Sequence, residues 1–313
     1  MEIVENGKHI VLLGDPHLGR TFSNGVPLHR RGMREALVWQ DFLDALRVPA
    51  GCDYHICLGD LFDKWIVPFD LILDVADHYR KAARENPGCH FFVLKGNHDW
   101  TRDLQRRSAF DVFAALVADV PNITIVKDTL QIASTDLVLY PWHPLWDASE
   151  KLKAVEGKIL FGHFDVEFGE HNMVPTKLHF ERIYTGHDHK ARTLKRDGTE
   201  VVVVGSMQPY AHGEEPDDSL YITVRAEDIT DPSIFRDKCL RIIGRYDGEI
   251  DCLQITYKQE KTNDDDSPIE SVTLGDFDMD RLFAEAFAEA GVSQERTAQV
   301  LDQYHTKRNT NGS

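Results

Sequence analysis

The chain has 313 residues, 42% hydrophobic and 28% charged, and a formal net charge of −17. That is apolar material for about two folded domains, not a disordered chain, and the acidic balance argues against a polyanion-binding surface spread over the whole molecule. No apolar run approaches the roughly 18 residues that cross a bilayer, no basic-then-apolar leader opens the chain, and five cysteines without a Cys-x-x-Cys pair fit neither a disulfide scaffold nor a thiolate zinc site, so a reduced, cytoplasmic protein is expected.

In chain order, residues 9–13 read as an apolar strand running into Gly14-Asp15. Ala36, Trp39, Leu43 and Leu46 then mark one helix face at 3–4 spacing. A second strand, 54–58, meets Gly59-Asp60. Leu71, Ile72, Val75, Ala76 and Tyr79 mark a second helix, with Pro68 suited to its first turn. A third strand, 91–94, precedes Gly96-Asn97-His98-Asp99. Phe110, Phe113, Ala114 and Val117 mark a third helix, stopped by Pro121. Strands follow at 123–126, 137–140, 159–161, 183–185, 201–204 and 220–224. Runs that are apolar throughout imply sheets buried on both faces. The expected fold class is α/β: a two-sheet β-sandwich flanked by helices over residues 1–225.

Residues 226–260 read as a small mixed module. Residues 261–275 read as an acidic linker around Asn263-Asp264-Asp265-Asp266. Within 276–305, Met279, Leu282, Phe283, Ala286, Phe287 and Ala290 make an amphipathic helix. Gly291 breaks it, and Ser293 can cap a second helix carrying Val300, Leu301 and Tyr304. Basic residues concentrate at 80–107, seven against three acids, and at 177–196, six against two. A polyanion would meet those stretches first.

Chemistry gathers where the strands end. Asp15-Pro16-His17, Gly59-Asp60, Gly96-Asn97-His98-Asp99, Gly162-His163 and Gly186-His187-Asp188-His189 each follow an apolar strand. Ligands in an α/β sheet collect at the carboxyl ends of strands. The set Asp15, His17, Asp60, Asn97, His98, His163, His187 and His189 exceeds the four to six donors of one ion. It suits two ions sharing a bridging carboxylate, and mixed oxygen and imidazole donors favour Mn²⁺, Fe²⁺ or Zn²⁺ over Ca²⁺. Such a pair, about 3.5–4 Å apart, would clamp a phosphoryl group and activate water. Taken singly, each motif is explained by a turn or a satisfied core histidine; five in order at strand ends are not. His29, His55, His78, His90, His171, His179 and His212 fall outside the pattern and are assigned to core or surface. His143, in Pro141-Trp142-His143-Pro144, is expected at most in a wall of the site.

Together these motifs resemble the calcineurin-like metallophosphoesterase superfamily over residues 15–189. Within it, Asp15-Pro16-His17-Leu18-Gly19, Gly59-Asp60-Leu61-Phe62-Asp63, Tyr140-Pro141-Trp142 and Gly205-Ser206-Met207-Gln208-Pro209 resemble the SbcD-type nuclease subunit of repair and phage recombination. The resemblance implies two divalent ions, Mn²⁺ foremost. Asp15, His17, Asp60 and His189 would hold one. Asp60, Asn97, His163 and His187 would hold the other. His98 would be the general acid or a donor to the transition state, with Asp99 orienting its ring. Asp63 stands where archaeal and eukaryotic relatives carry a substrate-positioning histidine, and matches bacterial and phage members instead. The resemblance further implies DNA as substrate, a capping or DNA-contact role for 226–260, and a helix-loop-helix at 276–305 gripping an SbcC-like SMC-type ATPase. It also implies a homodimer, in the host cytoplasm if the chain is phage-encoded. Two rival readings share the motifs. A protein phosphatase or cyclic-nucleotide phosphodiesterase would have every ligand but lack the partner-binding helices. A catalytically dead scaffold would have lost ligands, and none is missing here.

Overall fold

Parallel pairing sets which way every strand end points. The computed structural model describes residues 1–167, 172–214, 219–259 and 296–298. A first sheet, in order β1-β2-β3-β4-β5, contains β1 (Glu2–Glu5), β2 (Lys8–Leu13), β3 (Tyr54–Cys57), β4 (His90–Leu94) and β5 (Ile123–Val126). Neighbours from β2 to β5 pair in parallel. Helices α1 (Met33–Ala45), α2 (Phe69–Glu85) and α3 (Ala109–Leu116) make the three crossovers. A second sheet holds β6 (Leu130–Gln131), β7 (Leu137–Tyr140), β8 (Ile159–His163), β9 (Arg182–Gly186), β10 (Arg192–Arg196) and β11 (Thr199–Val203). There β7, β8, β9 and β11 are mutually parallel, and the edge strands β6 and β10 are antiparallel. Each sheet therefore presents the carboxyl ends of its central strands along one edge.

Side-chain alternation divides the apolar residues into layers. Ile10, Leu12, Ile56, Leu58, Phe92 and Leu94 of the first sheet meet Leu137, Leu139, Ile159, Phe161 and Tyr184 of the second. On the opposite face, Leu13, Cys57, Phe91 and Val93 pack beneath Ile72, Val75, Tyr79, Phe110 and Phe113 of the helices. The outer face of the second sheet is covered by the short helix α4 (Ala148–Leu152) and by Phe164, Val174 and Phe180. The expected sandwich flanked by helices is thus the observed fold.

Some local readings need correction. In α1 the buried side chains are Arg34, Val38 and Phe42, whereas Ala36 is exposed and Trp39 and Leu43 are half-buried. An apolar stripe headed by arginine escapes hydrophobic periodicity. Arg34 is buried because its guanidinium donates to Gln208 Oε1 (2.7 Å) and to the Pro209 carbonyl (3.2 Å), and lies 4.6 Å from the Phe22 ring centroid. The run at 220–224 does not join the sandwich. It becomes β12 (Tyr221–Arg225), which pairs in parallel with β13 (Cys239–Ile243), itself paired with β14 (Gln254–Lys258). This small sheet is tied to the 24–30 segment by Ile255 N–H to the Gly25 carbonyl (2.7 Å) and by Arg30 to Asp251. Residues 1–259 form one unit and 260–313 a second. The acidic linker lies outside the described residues, as does the helical pair apart from the three helical residues 296–298. No helix among the described residues is long and apolar enough to cross a membrane.

Asp111 joins α3 to the end of β4. Ser108 Oγ accepts from the Asp111 amide (3.3 Å), and Asp111 Oδ2 accepts from the Ser108 amide (3.0 Å), a reciprocal cap on the helix. The same carboxylate receives Lys95 Nζ at 3.0 Å and Lys127 Nζ at 3.0 Å. Burial alone would raise the Asp111 carboxyl; the Ser108 amide and the two lysines outweigh it and bring it to about 2. A carboxyl depressed in the native state stabilises the fold above its unfolded value near pH 4, and this contribution is lost as pH falls towards about 2. Urea titrations at pH 5 and pH 2 should show wild type losing about 2 kcal/mol more than Asp111→Asn. Identical losses would remove the cap and lysine contacts as a source of acid lability.

Candidate metal centre

The loops after β2 and β3 lie side by side: the His17 and Leu18 amides donate to the Asp60 and Leu61 carbonyls, and the Asp63 amide to Leu18, each at 3.0 Å. Four expected ligands sit in left-handed backbone: Asp15 (φ 29°), His17 (φ 45°), Asp60 (φ 49°) and His187 (φ 81°). Non-glycine residues avoid that region, and such strain persists where surrounding bonds over-determine it. The motif glycines make room. A Cβ at Gly96 would lie 2.1 Å from the Asp60 amide nitrogen, and one at Gly59 would lie 2.6 Å from His163 Nδ1.

The donors converge in two groups. His17 Nε2 and His189 Nε2 face each other at 3.0 Å. Asn97 Oδ1 lies 2.7 Å from His163 Nε2 and 2.9 Å from His187 Nδ1. Asp60 Oδ2 faces both groups, 3.7 Å from His17 Nε2 and 3.5 Å from His163 Nε2. Asp15 Oδ2 accepts the His187 amide (2.9 Å), while the buried Oδ1 has no hydrogen-bond partner. A carboxylate oxygen of Asp15 lies within 4.8 Å of ligand atoms of Asp60 and His163. Asp15 thus stands among the second group, although the resemblance pairs it with His17 and His189.

These contacts fit shared cations better than hydrogen bonds. Two ligands of one ion at about 2.1 Å are themselves separated by about 3.0–3.4 Å. An acceptor such as Asn97 Oδ1 between two ring nitrogens, and an orphaned buried carboxylate oxygen, are what such a cation would satisfy. Two outer nitrogens are also held, His163 Nδ1 by the Leu58 carbonyl (2.9 Å) and His189 Nδ1 by Glu214 Oε1 (3.2 Å), whereas His17 Nδ1 lies 3.5 Å from Asp63 Oδ1 without a hydrogen bond. Partners of this kind fix ring orientation and ligand basicity. Electrostatics is correspondingly tense. Burial would lower the His163 imidazole, but the charges of Asp60 and Asp15 outweigh it and lift it to about 9. Burial and then His163 push His187 down to about 4, and burial raises Asp15.

His98 is exposed beside this cluster, its ring edge-on to His17 at 4.8 Å. Its amide donates to Asp60 Oδ1 (2.8 Å), and its Nδ1 meets the Asp63 carbonyl (2.7 Å). A carbonyl only accepts, so Nδ1 carries the hydrogen and Nε2 is left for chemistry. Asp99 does not orient this ring as expected. It accepts the amides of Gly96 (2.9 Å), Phe62 (3.1 Å) and Leu61 (3.3 Å), and so ties the β4 loop to the β3 loop. Burial, then the charge of Asp60, pushes its carboxyl up to about 7. His143 stacks on Trp146 at 4.0 Å and meets the Trp100 edge, three residues after Asn97, at 4.6 Å. Two residues were missed as parts of the site. Glu214 supports His189, and Tyr210 donates to the Pro16 carbonyl while its ring stands 5.4 Å from His17. Their one sequence signal was the acid soon after Gly205-Ser206-Met207-Gln208-Pro209.

The sequence profile described as calcineurin-like phosphoesterase matches residues 8–191. The chain belongs to this family. Members are metal-dependent phosphoester hydrolases, and the donor groups described above fit divalent ions. No curated protein sequence matches the chain. Solved structures similar to it include the phosphopantetheinyl hydrolase of Mycobacterium tuberculosis, 13% identical, covering 64% of this chain and 93% of that one at a TM-score of 0.38. Another is the Pseudomonas putida nuclease MPE, 16% identical, covering 68% and 89% at a TM-score of 0.34.

If Asp60 serves both groups of this phosphoesterase, elemental analysis after dialysis against Mn²⁺ should find two ions per chain in wild type. Asp60→Asn should then retain fewer than two. Two tightly held ions in the variant would remove Asp60 from the shared position.

Proposed function

We propose that this phosphoesterase hydrolyses the DNA backbone with two divalent ions, Mn²⁺ foremost, as the nuclease subunit of an SbcC-SbcD-like, ATP-stimulated repair or recombination complex. The observation that carries the two-ion reading is the Asp60 carboxylate facing both donor groups, with His98 Nε2 open beside them. His17 and His189, with Asp60, would hold one ion; Asn97, His163 and His187, with Asp60, the other; the resemblance adds Asp15 to the first, although its carboxylate lies with Asp60 and His163. Bound divalent ions supply Lewis-acid polarisation of a phosphoryl group and a water of lowered pKa. His98, fixed through Nδ1, presents Nε2 as the proton donor for the leaving oxygen. The hydrogen bond of Glu214 keeps His189 turned inward, and the Tyr210 ring packs edge-on against His17.

Two features support DNA as the substrate. The segment that resembles the SbcD-type branch, 205–209, lies under the site: Gln208 and Pro209 hold Arg34, and Tyr210 holds Pro16. Arg102, Arg106 and Arg107 are exposed on the segment that leaves Asn97 and His98. Pure protein with Mn²⁺ should cleave linear DNA in preference to a phosphopeptide or a cyclic nucleotide. His98→Ala should keep both ions yet lose about 10²–10⁴-fold in rate. Turnover confined to the phosphopeptide or cyclic nucleotide would move the protein to another branch of the family.

The amphipathic pattern in 276–305, beyond an acidic linker, supports a helical grip on an ATPase coiled coil. Ile66, before α2, and Phe69 and Leu73, within its first five residues, are exposed by 60%, 63% and 40% and support a homodimer. Truncation near Thr262 should leave a folded, dimeric phosphoesterase that no longer co-purifies with an SbcC-like ATPase. Partner binding that survives truncation would remove the helical grip, and a monomeric mass by light scattering would remove the dimer.

A further inference from the structure

Arg20 follows directly on the Asp15–Gly19 motif, and none of the contacts described so far uses it. Its guanidinium carbon lies 4.9 Å from the Tyr210 ring centroid and 6.0 Å from that of Phe22. One terminal nitrogen stands 3.6 Å from Asp63 Oδ1. That separation is an ion pair without a hydrogen bond, so among the described residues the guanidinium keeps its N–H donors for a ligand. Its platform is rigid. Tyr210 is tethered through its hydroxyl to the Pro16 carbonyl, and its ring packs edge-on against His17 and His189 at 5.4 and 5.7 Å. The side chain of Arg20 is 32% exposed, so its head is open to solvent while its position is fixed.

The order of groups sets what Arg20 can reach. Asp63 Oδ1 is 3.5 Å from His17 Nδ1, on the side of the ring away from the Nε2 that faces His189. Neighbour by neighbour, the series from the donor groups runs His17, Asp63, Arg20, with the Asp63 carboxylate also within 4.8 Å of His98. A phosphate held by the donor groups would be separated from Arg20 by His17 and Asp63 in that series. A neighbouring phosphate of the same strand would be the one left for Arg20. Arginine binds phosphate oxygens through paired N–H donors, a geometry lysine lacks.

We propose that Arg20, held by Asp63 and Tyr210, forms a second phosphate subsite that takes a phosphodiester adjacent to the one being cleaved. This rests on the nuclease reading above and deepens it. The subsite favours a polymer, which has a flanking phosphate, over a cyclic nucleotide or a small diester, which has none. It also accounts for Asp63, which places a cation where a carboxylate alone would repel the strand.

The test pairs Arg20→Ala and Arg20→Lys with short oligonucleotides in which one linkage, 5′ or 3′ to the cleaved bond, is an uncharged methylphosphonate. On all-phosphate DNA, Arg20→Ala should lose about tenfold in kcat/KM, mostly through KM, with a shallower salt dependence by about 0.7 in log–log slope. At one flank, wild type should lose a similar factor on the methylphosphonate, and Arg20→Ala should lose nothing further there, the coupling expected of two groups in contact. Arg20→Lys should recover part of the loss. Additive losses at both flanks would overturn the subsite. If Arg20→Ala does not fold, Arg20→Gln carries the same comparison. Wild type that hydrolyses bis(4-nitrophenyl) phosphate but no DNA would sink the nuclease reading and the subsite with it, an outcome distinct from missing coupling in an enzyme that cleaves.

Discussion

The carboxylate of Asp60 is where the separate strand ends become one site. Its main-chain carbonyl receives the His17 amide, its Oδ1 the His98 amide, and its Oδ2 lies 3.7 Å from His17 Nε2 and 3.5 Å from His163 Nε2. One residue just after β3 therefore contacts the loops after β2 and β4 and the last residue of β8. That reach requires a left-handed backbone at Asp60 and a glycine at 96, where any Cβ would overlap the Asp60 amide. Geometry this constrained needs rigid supports, and the supports are the parallel strands behind it.

The energetic order follows. Burying ionisable groups costs several kcal/mol each unless they are paired, and Asp15, Asp60, Asp99, His17 and His163 are all buried at this edge. Leu, Ile or Phe side chains buried in the sandwich contribute roughly 1.5–3 kcal/mol each. The inter-sheet layer and the layer beneath the helices hold enough of them to sustain the charged edge. The pairing within the edge limits the cost further: Asp99 is met by three amides, and Asp111 gathers Lys95, two residues before Asn97, onto the α3 cap. Stability is made in the sheets and spent where chemistry is placed.

Most of this was legible because the sandwich strands are apolar runs that end in glycine and a ligand, a pattern visible without knowing which strands pair. What escaped had no apolar signature. Arg34 heads the buried stripe of α1, and its burial depends on Gln208, far along the chain. Asp99 sits next to His98 in sequence, yet its carboxylate turns to the amides of another loop. Edge strands such as β1 and β10 are half-exposed and carry charges. The run at 220–224 has the composition of a sandwich strand, and nothing in composition says which sheet it will join. Glu214 and Tyr210 act on the site through His189 and His17, so only the fold brings them there.

The same spatial reasoning bears on how a chain with a net charge of −17 would meet the polyanionic substrate proposed for it. At physiological ionic strength, charges separated by more than about 8 Å are largely screened, so a strand approaching the catalytic edge responds to local groups rather than to the total. Close to the metal centre the balance differs from the average. Two divalent ions, bound as proposed, would outweigh the carboxylates of Asp15 and Asp60. Of the outer carboxylates, Asp63 is set against His17 and Arg20, and Glu214 against His189 and the Tyr210 amide. The acids nearest the reaction are each engaged by a partner, while Arg102, Arg106 and Arg107 remain exposed on the loop beyond His98. The negative charge at this edge is committed to orienting the candidate ligands, and the exposed charge of the loop beyond His98 includes these three arginines together with Asp103, which pairs with Arg106.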